Sequence, residues 1–467
     1  MHIIPASWSH LHLLVSIFPS IGLVFVLAAY LTGLITNSEL TKRICLVLFG
    51  LLGLLAIPTY VSGVGSMAAL ATVPDISQAM MDTHYNWGLV ALAVLVAAGA
   101  ASAYEIWRLR RGGQLSERNL LVVLGLAVAT LAVMALVGQN GWEINHIELS
   151  PDFVSGGTPQ SWSHVHIILN HFPTVGFVIG LALFVTALLK NDDILKRIGL
   201  SIFAICALLG APTYVTGAAS MWALTLPPIP EISASAINAH RDMALLTLFG
   251  LAFTGGLAWM ELWRYRHVGR FCNRALYVVL GFALVTLGIM AETGHRGGLI
   301  NHPEIRSASD VFPEDAITGF WSPAIETAIN NVTWFVPWQT LHFFGYSLLF
   351  GSVLFITLRI LGLWKFLPYS SVHRVLPLAF FGLLINVFSG MLILLADTYR
   401  YVNNTTFAPK IAFIAIGGVA TLYFSLSGDL WKLKAGDDAA ISAKLTSLLI
   451  LAAWTGVIMG GRLLPYL

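Results

Sequence analysis

Long apolar stretches separated by short polar segments run through the whole of this 467-residue chain. A helix needs about 20 mostly apolar residues to cross the hydrocarbon core of a bilayer. The pattern predicts membrane-spanning helices over residues 11–36, 43–70, 84–109, 119–138, 165–190, 197–224, 240–265, 274–293, 333–361, 372–397, 407–428 and 443–463. We therefore expect an all-α, polytopic membrane protein of about 12 helices, arranged as three four-helix bundles.

The first eight of these helices form two copies of one four-helix unit. Residues 7–19 read SWSHLHLLVSIFP and residues 161–173 read SWSHVHIILNHFP, an offset of 154 residues that becomes 156 in the second half of the unit. Self-similarity at a fixed offset indicates an internal duplication. We expect a first repeat over residues 1–150, a second over 151–310, and a third four-helix domain with a different sequence over 311–467.

Composition excludes a soluble protein and a nucleic-acid partner. Hydrophobic residues make up 57% of the chain and charged residues 10%, whereas soluble domains contain about 25% charged residues. The net charge is +2 and no basic patch is interleaved with aromatics. The three cysteines are far apart and match neither a C-x-x-C-H haem attachment nor a zinc pattern. No basic segment precedes the first apolar stretch, so we expect no removable signal peptide.

The distribution of positive charge predicts the orientation. Of the 25 lysines and arginines, nineteen fall in or beside the connectors that follow odd-numbered helices. Cytoplasmic connectors are enriched in these residues, so we expect a multi-pass protein of a bacterial inner membrane with both termini in the periplasm. Near the inner face, Glu105 with Arg108 and Glu261 with Arg264 have the i,i+3 spacing that predicts ion pairs.

Histidines gather at the outer ends of the predicted helices in both repeats. Ten of the 14 histidines share this placement: His10, His12, His84, His146, His164, His166, His171, His240, His295 and His302. Ionisable residues inside a membrane are candidates for function. Imidazoles from facing helices can supply both axial ligands of a haem, and small residues such as Gly63 and Gly217 would leave room for a flat cofactor. The simpler interpretation, that interfacial histidines cap helices or bind water, fits single histidines better than ten in duplicate.

Comparison of the repeats suggests how the histidines pair. His171 and His295 are absent together from the first repeat, where Ile17 and Gln139 stand, as expected for partners on one iron. His166 lies five residues before His171, so the two point about 140° apart on a helix and should serve different sites. The simplest scheme pairs His166 with His240, His171 with His295, and His12 with His84, although the partners within the second repeat could be exchanged.

The remaining histidines receive weaker roles. His10, His164, His146 and His302 are predicted to be shallower, bonding haem propionates or a partner, with an ordinary interfacial role equally open. In the third domain His342 lies about ten residues into its helix, and His373 lies at the opposite face. They are too far apart to share an iron, so we expect a buried, hydrogen-bonded His342.

Two short motif sets carry resemblances to known families. The second repeat resembles a bacterial four-helix membrane family of unknown function in H-x4-H-F-P at 166–173, His240, and G-H-R-G-G at 294–298. That family is similar to a haem-binding module and occurs near c-type cytochromes. This resemblance covers about residues 1–305 in two copies, and the first repeat departs from it at Ile17 and Gln139. L-H-F-F-G at 341–345 and the segments 359–362, 401–404 and 407–410 are similar to a four-helix family of membrane proteins related to b-type cytochromes.

Together these features predict a b-type cytochrome of the membrane. It would bind two or three haem b groups near the outer face. It would pass electrons between a periplasmic c-type cytochrome or dehydrogenase subunit and the quinone pool, with quinone a further candidate ligand. We expect a subunit of a respiratory complex, not a self-contained enzyme, that docks its partner on the outer connectors 139–160 and 295–330. The alternatives are a copper-handling or transport protein that uses the same histidines, and a structural membrane anchor.

Overall fold

Twelve long helices account for most of the chain in a computed structural model that describes residues 7–71, 78–145, 161–225, 233–301 and 331–464. All twelve are long and apolar enough to cross a membrane, and the described residues contain no strand. The prediction of an all-α polytopic membrane protein is therefore confirmed. The helices are α1 (Trp8–Ile35), α2 (Glu39–Leu70), α3 (Gln78–Arg110), α4 (Glu117–Asn145), α5 (Ser161–Lys190), α6 (Asp193–Thr225), α7 (Ala234–Val268), α8 (Asn273–Asn301), α9 (Val332–Leu361), α10 (Leu376–Ala396), α11 (Phe407–Leu426) and α12 (Ile441–Leu463).

The duplication in sequence is repeated in local structure. The turns from α1 to α2 and from α5 to α6 contain Asn37 and Asn191, and both asparagines adopt left-handed backbone with φ of 51° and 50°. Asparagine tolerates this conformation better than most residues. The repeats differ around the equivalent prolines Pro19 and Pro173. In α1 a π-helical turn, Phe18–Gly22, contains Pro19, whereas α5 continues as an α-helix through Pro173.

The first helices of the two repeats pack against each other. The ring of Phe25 in α1 lies against Gly176 of α5, and its centroid is 6.4 Å from that of Phe172. Buried apolar residues from both repeats form one continuous core around this contact. The two repeats therefore share an interior, which places their histidine-bearing helix ends around a common space.

The third domain attaches to the second repeat through α7. The ring centroid of Trp259 is 4.5 Å from that of Phe380, and its Nε1 donates to Ser425 Oγ at 3.0 Å. One turn further, Trp263 Nε1 donates to the carbonyl oxygen of His373 at 3.1 Å. Arg266 Nε then donates to the carbonyl oxygen of Ser425 at 2.8 Å. These directional hydrogen bonds from indole and guanidinium groups thus fix the orientation of the third domain relative to α7.

Buried glutamates close the ends of both repeats that lie opposite the histidines. The predicted ion pairs form, with Arg108 Nε 3.3 Å from Glu105 and Arg264 Nη2 2.7 Å from Glu261. Each glutamate also accepts a 2.6 Å hydrogen bond from a backbone N–H in the connector to the next helix, at Ser116 in the first repeat and at its counterpart in the second. Each carboxylate therefore holds a helix–helix connector as well as an arginine.

Candidate functional site

A single cavity of about 1130 Å³ lies between the two repeats. Most small-molecule pockets have volumes of roughly 300–1,000 Å³, so this one is large enough for more than one cofactor. Its walls are mostly apolar and small side chains. The histidines that line it are His10, His12, His84, His166, His171, His240 and His295. All six principal ligands predicted from the sequence therefore face one shared space.

His12 and His84 face each other across this cavity. Their ring centroids are 6.3 Å apart and the ring planes are perpendicular, at 90°. A bond from an imidazole nitrogen to a transition metal is about 2.0–2.1 Å and the ring centre lies about 1.1 Å behind the nitrogen, so two rings on opposite sides of one metal have centroids about 6 Å apart. The first repeat thus holds its two predicted ligands at a separation that suits a shared metal.

Backbone carbonyls fix the protonation of both rings. His12 Nδ1 is 2.9 Å from the carbonyl oxygen of Thr59, and His84 Nδ1 is 3.1 Å from that of Val137. A carbonyl oxygen only accepts, so Nδ1 carries the proton and Nε2 keeps its lone pair. Histidines that bind metals commonly have this arrangement, in which the second nitrogen donates to a carbonyl. Both rings are therefore in the tautomer that a metal requires.

The second repeat reproduces these contacts at the equivalent residues. His166 Nδ1 is 3.1 Å from the carbonyl oxygen of Thr213, and His240 Nδ1 is 3.0 Å from that of Thr293. His166 Nδ1 also lies 3.3 Å from Thr216 Oγ1. Because the accepting carbonyls stand at the same repeat offsets as those of Thr59 and Val137, the tautomer of both rings is set in the same way as in the first repeat.

A glycine lies under each of these four imidazoles, on the helix that supplies the carbonyl and four residues after it. Carbon atoms in ordinary contact are about 3.5–4.0 Å apart, so no side chain larger than hydrogen fits without a shift. The distances from an ideal Cβ at the glycine to the histidine Cε1 are 3.0 Å at Gly63, 2.8 Å at Gly141, 2.7 Å at Gly217 and 2.9 Å at Gly297. Imidazole rings occupy the space directly over Gly63 and Gly217, and both glycines also line the cavity, so their interpretation as room for a cofactor stays a prediction.

His295 has a neighbour from the other repeat. Its ring centroid is 6.4 Å from that of His10, with the ring planes at 29°. His10 is buried, at 5% exposure, although the sequence assigned it a shallow, secondary role. His171, the partner predicted for His295, lines the same cavity, and its Nδ1 lies 2.6 Å from the carbonyl oxygen of Ile167 one turn earlier. The pairing of His171 with His295 stays a prediction.

Three further predicted residues are not part of the arrangement as the described residues show it. His164 is half-buried in the first turn of α5 and, among the described residues, does not line the cavity. His146 and His302 lie outside the described residues, as does most of the docking surface predicted on connectors 139–160 and 295–330.

The second repeat brings charge to its half of the cavity. Arg241 lines the cavity next to His240 and pairs with Asp242 at 3.2 Å, and Arg296 pairs with Glu292 at 2.8 Å. In the first repeat the position of Arg241 is Tyr85, whose ring packs 5.4 Å from that of Tyr60. The two halves of the cavity therefore differ in polarity although their histidine contacts are the same.

The third domain has part of the same arrangement. His342 is half-buried on α9, its Nδ1 is 3.0 Å from Ser389 Oγ, and its Cε1 is 3.1 Å from an ideal Cβ at Gly390. This hydrogen bond agrees with the prediction for His342. Near the start of α11, where α3 and α7 carry histidine, Lys410 packs against Gly460 of α12. A facing pair of imidazoles therefore cannot form from these two positions.

A second histidine cluster, which the sequence did not predict, lies at the inner end of α7. His373 is fully buried, its Nδ1 is 3.4 Å from His267 Nε2, and the ring of Trp431 packs against both. The cluster joins the third domain to the second repeat. Hydropathy patterns could not reveal it, because His267 and His373 come from different domains.

No model of a protein family matches the chain, and neither the curated proteins nor the solved structures include a significant match. Within the described residues, no group of three or more histidine, cysteine, aspartate or glutamate side chains is placed to hold a metal ion.

Proposed function

We propose that this protein is a membrane b-type cytochrome subunit that holds two or three haem b groups in the cavity that its two repeats line. The observation that carries the proposal is the His12–His84 pair, with ring centroids 6.3 Å apart and both Nδ1 atoms engaged by backbone carbonyls. Both Nε2 atoms are then available to one metal. A bound haem would supply reversible one-electron chemistry.

The residues present fit a haem better than a bare metal ion. The porphyrin supplies four of the iron ligands, so two opposed imidazoles complete the coordination. An isolated zinc ion usually takes three or four protein ligands, and the described residues contain no such group. The cavity of about 1130 Å³ has mostly apolar walls for the macrocycle, and Arg241 offers a guanidinium to the propionates.

The depth of the histidines argues for electron exchange at one face. His12 lies four residues after the start of α1 and His84 six after the start of α3, which is about 6 Å and 9 Å from the helix ends at 1.5 Å per residue. The positive-inside pattern supports a periplasmic position for this face. The proposed role is therefore to pass electrons between a periplasmic c-type cytochrome or dehydrogenase subunit and quinone, within a larger complex of the bacterial inner membrane.

The decisive experiment is a pyridine haemochrome spectrum of the full chain purified in detergent, with iron and copper counted per chain. We expect two or three haem b groups, and the loss of one in His12→Ala and in His84→Ala. His164→Ala, on the same histidine-rich segment as His166 but off the cavity, is the matched control and should keep them all. Copper without haem would replace this proposal with metal handling, and neither metal would leave a structural anchor.

A further inference from the structure

We propose that His10 and His295 hold one haem between the repeats, so that this site exists only when both repeats are present. The inference rests on the proposed function. The ring centroids of His10 and His295 are 6.4 Å apart, against 6.3 Å for His12 and His84. Both separations match the distance of about 6 Å expected for two imidazoles on opposite sides of one metal, and all four rings line the same cavity.

Helix geometry directs both residues out of their own repeats. Residues two apart on a helix point about 200° apart. His12 lies against Gly63 within the first repeat, so His10 faces the opposite side of α1. In α8, Gly297 lies under His240 within the second repeat, so His295 faces away from that repeat. The two outward sides meet, which is why the rings of His10 and His295 are neighbours.

The site can form only once despite the duplication. The repeat equivalent of His10 is His164, and the equivalent of His295 is Gln139. A glutamine amide is not the imidazole that a bis-histidine haem needs, so a mirrored site is not available. This accounts for the absence of a histidine at position 139 without requiring His171 as the partner of His295. With the pairs His12–His84 and His166–His240 it gives three haems in total.

The angle between ring planes provides a signature that separates the His10–His295 site from the His12–His84 site. The planes of His12 and His84 are at 90°, whereas those of His10 and His295 are at 29°. In a low-spin ferric haem, perpendicular axial imidazoles give a strongly anisotropic paramagnetic resonance signal with one large g value. Nearly parallel imidazoles give a rhombic signal with three resolved g values. The proposed bridging haem should therefore be the rhombic one.

The test measures haem content and the low-temperature resonance spectrum of the full chain in detergent, for the wild type and for His10→Gly, His295→Gly and His171→Ala. We expect His10→Gly and His295→Gly each to lose one haem per chain together with the rhombic signal, and to regain both when haem and free imidazole are added. Rescue by imidazole excludes a folding defect. His171→Ala should keep the rhombic signal.

Two results would overturn the inference, and they differ from failure of the proposed function. If His171→Ala and His295→Gly lose the same haem while His10→Gly keeps it, the pair lies within the second repeat. If His10→Gly keeps every haem and the rhombic signal, His10 is not a ligand. A wild-type chain without haem, which also takes up none from added haemin, removes the proposed function itself.

Discussion

A methyl group placed under one histidine should weaken haem binding at one site although no ligand residue is replaced. In Gly297→Ala the new Cβ would lie 2.9 Å from His240 Cε1, and ordinary carbon contacts begin at about 3.5 Å. The imidazole must therefore move by about 0.6 Å, about three times the ±0.2 Å that a coordination bond tolerates. Overpacking of this kind costs about 1–3 kcal/mol. At about 1.4 kcal/mol per tenfold in affinity, haem should bind this site about 5- to 150-fold more weakly.

The same helix provides a matched control nine residues earlier. A Cβ added at Gly288 meets no atom within 4 Å, Gly288 does not line the cavity, and alanine is favoured over glycine in a helix by about 0.8–1 kcal/mol. Gly288→Ala should therefore bind haem as the wild type does and melt at an equal or higher temperature. The assay is haemin titration of haem-depleted protein, followed by Soret absorbance. Equal affinities for the two variants would refute the reasoning. Gly141→Ala and Gly125→Ala repeat the comparison independently in the first repeat, because a Cβ at Gly141 would lie 2.8 Å from His84 Cε1 and a Cβ at Gly125 would meet no atom within 4 Å.

Three further predictions concern the rest of the molecule. Glu105→Gln should destabilise the fold by about 1.5–3 kcal/mol, because the buried carboxylate loses charged hydrogen bonds. Glu39→Gln, which removes an exposed ion pair, should destabilise it by less than about 1 kcal/mol. Thermal melting in detergent compares the two variants, and equal losses of stability would contradict this prediction. His342→Ala should leave the haem content unchanged, and a missing haem would reveal a cofactor in the third domain. Hydrogen bonds from Lys444, and secondly from Lys365, lower the pKa of the Asp438 carboxyl group. The ion pairs of Asp438 with these lysines should therefore persist above the ordinary pKa of about 3.9 and be lost as the pH falls through the lower pKa of the folded state. Hydrogen exchange across residues 434–440 that already rises at pH 5 would disprove this prediction.

The spans could be predicted from the sequence because hydropathy alone determines them, but their ends could not. The third and seventh helices were expected to begin at His84 and His240, and they begin at Gln78 and Ala234. The additional residues include polar positions such as Asp82 and Gln78, which end an apolar stretch in a hydropathy count. In the folded chain they continue the helix because its backbone hydrogen bonds do not depend on the side chains. The histidines consequently lie inside helices and not at their first residue.

The sequence indicated which histidines line the site, but it did not fully determine which histidines lie opposite each other. Equal offsets between the repeats suggested that His12 and His84 are partners, because both have a counterpart in the second repeat, and their ring centroids lie 6.3 Å apart. The neighbour of His295 could not be found in this way, because His10 belongs to the other repeat. Comparing equivalent positions of the two repeats reveals contacts within a repeat and does not reveal a contact between the repeats. A usable signal was present for the glycines. Gly63 and Gly141 recur at the same offsets as the histidines, and such joint recurrence predicts contact.

The third domain bears on whether the proposed haems could carry electrons across the membrane. It keeps His342 above Gly390, but Lys410 stands against Gly460 where the repeats have a second histidine. An ammonium group cannot replace the imidazole of a bis-histidine pair, so the proposed haems are confined to the first eight helices. Their histidines lie within about 9 Å of one set of helix ends, whereas a hydrocarbon core is about 30 Å thick. Electrons that enter at this face must therefore leave at it, which makes the outer surface the place where both donor and acceptor would meet the protein.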